Sequence, residues 1–224
     1  MNGTLKKVKC DSSKTKNMIQ MLLSVIVMGI CVSILVMTQF GPDPCSAMNY
    51  GMARILGLSF GVYQILFNLV LLVFVLLIDR SLLGPGTFGN MFLVGISADF
   101  TTWLVGKIFG TTEISTFTMR MAVMIPTLII FVFAAAVYMN SELGTAPYDA
   151  LPYLIHKRLC AKTGKKIRFR TVRMIFDGLI TLFAICIKGE VGLITVLMIV
   201  SLGPAIDTVD KLLHPQKYVV KPEQ

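Results

Sequence analysis

Asp177 stands among Met174, Ile175, Phe176, Leu179 and Ile180, and Asn68 among Leu66, Phe67, Leu69 and Val70: a carboxylate and a carboxamide set into apolar surroundings. Neither group enters such a run cheaply, because hydrocarbon supplies no hydrogen-bond partner, so each is a candidate for binding a solute or passing a proton. Asp99, inside Phe88–Gly106 and one helical turn before Trp103, raises the same question. A plainer reading of Asp177 pairs it with Arg173, one turn earlier, and both readings stay open. Asp207, beside Asp210 and Lys211, reads as the end of its helix. Gln39, Asp43, Glu142 and Asp149 fall in turns, where a solvated loop residue is the simpler account, although the recurrence described below moves them towards function. Gln64 and Arg173 flank the same candidate pathway, and Arg120 reads as an interfacial anchor. The chemistry on offer is recognition of a polar solute, with Asp177 or Asp99 able to take up a proton in a coupled cycle. His-Glu-x-x-His, clustered histidines and Gly-x-Ser-x-Gly are missing, so no enzyme is expected. Five cysteines show no paired spacing and only two histidines accompany them, so neither a zinc site, a disulfide framework nor a cofactor is expected.

The elements that must carry these residues are set by composition. Of 224 residues, 55% are hydrophobic and 15% charged, against about a quarter charged in an ordinary globular domain. Six runs have almost no charge: Met18–Thr38, Phe60–Ile78, Phe88–Gly106, Met121–Tyr138, Met174–Ile187 and Val191–Ile206. They predict an all-α membrane protein of about six transmembrane helices, the last two runs being short or interrupted. The first run is too long for a secretory signal core and is read as a retained helix.

The net charge of +9 is concentrated in two places. Lys6, Lys7, Lys9, Lys14 and Lys16 precede the first span, and Lys157, Arg158, Lys162, Lys165, Lys166, Arg168, Arg170 and Arg173 lie between the fourth and fifth. With both termini in the cytosol, these clusters fall on the inner side, as the positive-inside rule requires. Anionic lipid headgroups then suffice as partners, and no nucleic-acid partner is expected.

A repeat underlies the spans. "QFGPDPCSAMNYG" from Gln39 and "ELGTAPYDALPYL" from Glu142 each end an apolar run, with Gly41 and Pro44 meeting Gly144 and Pro147 at a shift of 103 residues. Further on, Gln64 meets Arg173, Asn68 meets Asp177, Gly84 meets Gly192, Thr87 meets Thr195, Gly95 meets Gly203 and Asp99 meets Asp207. The chain therefore reads as two units, 1–110 and 111–224. With an odd number of crossings in each, the second runs opposite to the first, the inverted arrangement of many secondary transporters. Gly and Pro end the first span of each unit and turn the chain into a short helix, which Ser46 or Asp149 is placed to cap. Whether these helices lie on the surface or dip into the protein is open.

The phrase Gly144-Thr145-Ala146-Pro147-Tyr148-Asp149, its weaker copy at Gly41 and the Gly-rich start of the third span resemble the YczE/YyaS/YitT-like family of small bacterial membrane proteins, from about Gly29 to Asp207. The family has Trp where this chain has Tyr148. The resemblance implies an integral protein of the bacterial cytoplasmic membrane and supplies no catalytic residue. The expected function is a small secondary transporter of an organic solute, its site lined by Asn68, Asp99 and Asp177 with Gln39, Gln64 and Glu142. The alternative is a membrane-embedded binding subunit docking on an energising complex. A mass of 24.7 kDa leaves little room for a wide pathway, which is compatible with a homodimer.

Overall fold

The computed structural model describes residues 3–141, 143–164 and 167–213. Glu142, Lys165, Lys166, His214, Lys217 and Lys221 lie outside the described residues, as do the side chains of Lys6, Lys7, Lys9, Cys10, Lys14, Asp207, Asp210 and Lys211. Eight α-helices follow one another: α1 Gly3–Met37, α2 Pro44–Leu56, α3 Phe60–Ile78, α4 Pro85–Phe109, α5 Phe117–Met139, α6 Pro147–Thr163, α7 Phe169–Cys186 and α8 Leu193–Leu213. A single 3₁₀ turn, Arg80–Leu82, joins α3 to α4, and no strand occurs among the described residues.

Four segments are long and apolar enough to cross a bilayer: Thr15–Met37, Phe60–Ile78, Pro85–Phe109 and Phe117–Met139. The reading of six spans therefore exceeds what length and composition carry. α7 has 18 residues but includes Arg170, Arg173 and Asp177, and the apolar part of α8, Leu193–Pro204, is short. The charge of α7 has a structural reason. Its Asp177 and Thr181 are buried while Ile175, Leu179, Leu182 and Phe183 stay exposed, the reverse of a helix that meets water. α3 and α5 show the same outward apolar surface, with Leu77 80% exposed, which only a hydrocarbon surround makes tolerable.

α1 is the central helix, packed on α4 and α5. Ser33 bonds Thr102 at 2.8 Å, so α1 and α4 run alongside through their C-terminal halves. α3 and α4 touch backbone to backbone: a Cβ on Gly61 would lie 2.7 Å from the Gly95 carbonyl oxygen, which is the close approach that small residues permit in lipid. The short helices cross over. α2 packs on α7 and α6 on α3.

Polar contacts also tie elements together at the two ends of the bundle. At one end Gln39 meets Glu113 at 3.3 Å and Arg54 meets Glu190 at 3.0 Å. At the other, Lys157 meets Asp79 at 2.7 Å and Thr145 N–H donates to the Leu82 carbonyl at 3.0 Å. The Lys157 ammonium and Ser81 hold the exposed Asp79 carboxyl down to about 2.

Candidate functional site

Each Gly-x-x-Pro phrase is built the same way. Gly41 and Gly144 take φ of +82° and +99°, a region that costs other residues strain. Pro44 and Pro147 then open α2 and α6 at the first helical position, where a missing N–H is no loss. The turn is docked on the start of a helix from the other half of the chain. Gly86 N–H donates to the Leu143 carbonyl at 2.7 Å, and Ile194 N–H donates to the Phe40 carbonyl at 2.9 Å. Thr87 Oγ1 donates to the Thr145 carbonyl at 2.8 Å and accepts from Gly84 N–H at 3.0 Å. Thr195 Oγ1 does the same with the Pro42 carbonyl at 2.7 Å and Gly192 N–H at 3.2 Å. Tyr50 stacks on Phe60 at 4.1 Å, and Tyr153 on Phe169 at 4.2 Å. The residues of the two sets correspond to one another through the sequence repeat.

The two turns deliver α2 and α6 to one cavity of about 80 Å³. Asp43, Pro44, Cys45 and Ser46 line it from the first turn, and Ala146, Tyr148 and Asp149 from the second. Gln64 and Asn68 enter from α3, Arg173 and Asp177 from α7. Asn68 is the ninth of 19 residues in α3 and Asp177 the ninth of 18 in α7. The cavity thus lies at mid-length of both helices.

A continuous polar chain runs along one wall. Tyr148 OH donates to Asp177 Oδ1 at 2.8 Å. Arg173 reaches Asp177 Oδ2 at 3.5 Å and Asp149 Oδ1 at 2.8 Å. Asp177 thus pairs with Arg173, as the plainer reading of the sequence expects, and also lines the cavity. Asp43 caps α2, accepting the Ser46 N–H at 3.1 Å. This corrects the expectation of capping by Ser46 or Asp149. Ser46 contributes the backbone donor, and Asp149, in the first turn of α6, faces the guanidinium. Across the cavity, Asn68 Nδ2 donates to the Gln64 carbonyl at 3.0 Å, while Gln64 Oε1, Asn68 Oδ1 and Tyr138 OH are buried without a partner.

Of the residues singled out from sequence, Asp43, Pro44, Gln64, Asn68, Asp149 and Asp177 come together here. Gly41, Gly144 and Pro147 shape the turns. Two others are elsewhere. Asp99 accepts the Gly61 N–H at 3.0 Å and so serves the start of α3. Gln39 faces a separate cavity of about 360 Å³ beside Tyr50, Thr102 and Glu190. Glu142 is outside the described residues. Tyr148, named from the sequence only as a member of the Gly144–Asp149 phrase, stands on the cavity wall. Tyr138 and Asn90, which also line the cavity, carried no signal in the sequence. Among the described residues no group of three or more His, Cys, Asp or Glu is placed to hold a metal.

The chain is 26% identical over 163 residues, 73% of its length and 70% of the relative's, to the uncharacterized membrane protein YczE of Bacillus subtilis (strain 168). It is 22% identical over 183 residues to the uncharacterized protein YyaS of the same organism, covering 79% of this chain and 84% of the other. No solved structure matches it. These similarities agree with the helices that are long and apolar enough to span, and the protein is an α-helical membrane protein. The model of the family of unknown function DUF6198 matches residues 15–211, and the chain belongs to that family.

Proposed function

We propose that this protein is a small secondary transporter of the bacterial cytoplasmic membrane that moves a small organic solute by alternating access. Its six crossings, α1, α3, α4, α5, α7 and α8, form two inverted halves, 1–110 and 111–224, with both termini in the cytosol and two copies associating in the membrane. The observation that supports this reading best is the reciprocity of the two turns. Each docks on the other half through matching hydrogen bonds, and both then open onto one polar cavity at mid-helix. Rocking one half against the other carries the turns apart at one end or the other while the cavity stays central, the logic of inverted-repeat transport. The chain of Tyr148, Asp177, Arg173 and Asp149 offers carboxylates to a coupling proton.

Cys45 is a free thiol lining the cavity and serves as a native reporter. In a variant keeping Cys45 as its sole cysteine, a membrane-impermeant thiol reagent should modify it from either side of sealed vesicles. Modification from one side alone would refute alternating access. Cysteines placed at Ser115 and Thr163 should react from opposite sides, and reaction of both from one side would remove the inverted topology.

A further inference from the structure

The charge balance of the central cavity is uneven. Asp43, Asp149 and Asp177 face a single cation, Arg173, and that guanidinium is engaged by Asp149 and Asp177. Among the described residues Asp43 has no ion-pair partner, its recorded bond being to the Ser46 N–H. With all three carboxyls ionised the site carries two negative charges in excess among apolar helices, and a bound cation offsets them.

A second, independent feature points the same way. Gln64 is 5% exposed and Asn68 3%, and the carboxamide oxygens of both lack any partner. One N–H of Asn68 Nδ2 goes to the Gln64 carbonyl, which orients the carboxamide and leaves its oxygen as an unpaired acceptor. Buried acceptors left empty each cost free energy that a donor recovers. An anion would meet carboxylates and no free cation, and an apolar solute would leave both oxygens unpaired.

We infer that the cavity binds the N–H-bearing cationic group of a small organic solute, a primary ammonium or an amidine-like group, with Asp43 as counter-ion and Gln64 Oε1 and Asn68 Oδ1 as acceptors. This deepens the transport reading and rests on it for its biological sense. The volume of about 80 Å³ suits such a head group with little more. Recognition by N–H donors separates the expected ligands from quaternary ammonium ions, which carry charge without donors.

The test uses the full chain in detergent micelles near neutral pH and follows thermal unfolding with methylammonium, ethanolamine, tetramethylammonium, sodium and acetate at matched ionic strength. Methylammonium and ethanolamine should raise the midpoint saturably, by about 3–6 °C at ten times the dissociation constant, while tetramethylammonium should not. Asp43→Asn keeps an N-cap acceptor and so the fold, but should abolish the shift. Asn68→Leu should weaken it at least tenfold in apparent affinity. Equal stabilisation by sodium would overturn the inference in favour of an inorganic cation. Stabilisation by acetate, lost on Asn68→Leu, would overturn the solute class yet leave transport standing. No shift with any probe would also overturn it. The Cys45 labelling in the same preparation keeps the two readings apart: methylammonium binding with one-sided labelling would refute transport alone.

Discussion

Arg173→Met is the most informative single change, because Arg173 holds two carboxylates that have little else to neutralise them. Its side chain is 12% exposed, those of Asp149 and Asp177 18% and 5%. Breaking a buried ion pair by deleting one partner costs about 3–5 kcal/mol, and the residual exposure of Asp149 places this case at the low end, about 3 kcal/mol. For a chain of this length each kcal/mol moves the unfolding midpoint by about 2–4 °C, so a fall of about 6–12 °C is expected. In a background keeping Cys31 as its sole cysteine, that thiol, 4% exposed in the cluster between α1, α5 and α8, supplies the readout, since a thiol-reactive fluorophore reaches it once that cluster opens. Adding Asp149→Asn removes one of the stranded charges and should restore part of the loss, with a coupling of about 1–2 kcal/mol. If Arg173→Met melts within about 2 °C of the parent, a shift below 1 kcal/mol, the cavity charges are solvated and the argument from buried charge fails. Strict additivity of the two substitutions would refute the pairing itself.

Other consequences follow from the same geometry. Thr87 and Thr195 are each 0% exposed and serve both as donor and as acceptor, so Thr87→Val and Thr195→Val should each cost about 1–3 kcal/mol, read from the same melting assay; a neutral result at either position would deny that the turns are held reciprocally. Gly144→Ala places a methyl 2.3 Å from Gly84 N at a positive φ, whereas Gly178→Ala meets nothing within 4 Å; the first should lower the yield of folded protein sharply and the second leave it unchanged. Asp177→Asn should impair solute-dependent stabilisation and flux far more than Glu113→Gln, whose carboxylate bonds Gln39 at an exposed site, and equal effects would remove Asp177 from the site. The Asp79 carboxyl, held down to about 2, stabilises the fold above the ordinary carboxylate value, and that contribution disappears as the pH falls towards 2. Lys157→Met should therefore lower the midpoint at neutral pH, with the difference from the parent closing in strong acid, and a difference independent of pH would exclude the ion pair as its cause.

The part of this architecture legible in the sequence is the part written in backbone chemistry. Gly and Pro at matching offsets announced two turns with short helices behind them, and the structure has α2 and α6 there. Asn68 and Asp177 were legible because a polar group in an apolar run has few reasons to exist. What escaped the sequence depends on contacts between distant helices. Of the six spans expected from the sequence, four have the length and apolar character to cross a bilayer, and α7 is not among them because it carries charge, which it turns inward while its apolar side faces outward.

Asp99 and Asp177 show how far a residue type alone can be trusted. Both are carboxylates within apolar helices, and both answer a shortage of donors in their surroundings, but the donors differ. α3 and α4 meet at Gly61 and Gly95, where neither side chain keeps the backbones apart. One helical turn beyond Gly95, Asp99 therefore reaches the unpaired N–H groups at the start of α3 and accepts from Gly61. Asp177 takes its donors instead from the side chains of Tyr148, in the first turn of α6, and Arg173, which leaves it on the cavity wall. Asp99→Asn retains an acceptor at the α3 terminus and should be nearly silent in binding, while Asp99→Ala should lower stability by about 1 kcal/mol, the usual loss for a helix cap. A selective loss of methylammonium-dependent stabilisation in Asp99→Asn would place Asp99 back among the solute contacts and would require the two halves to close around it in some other state.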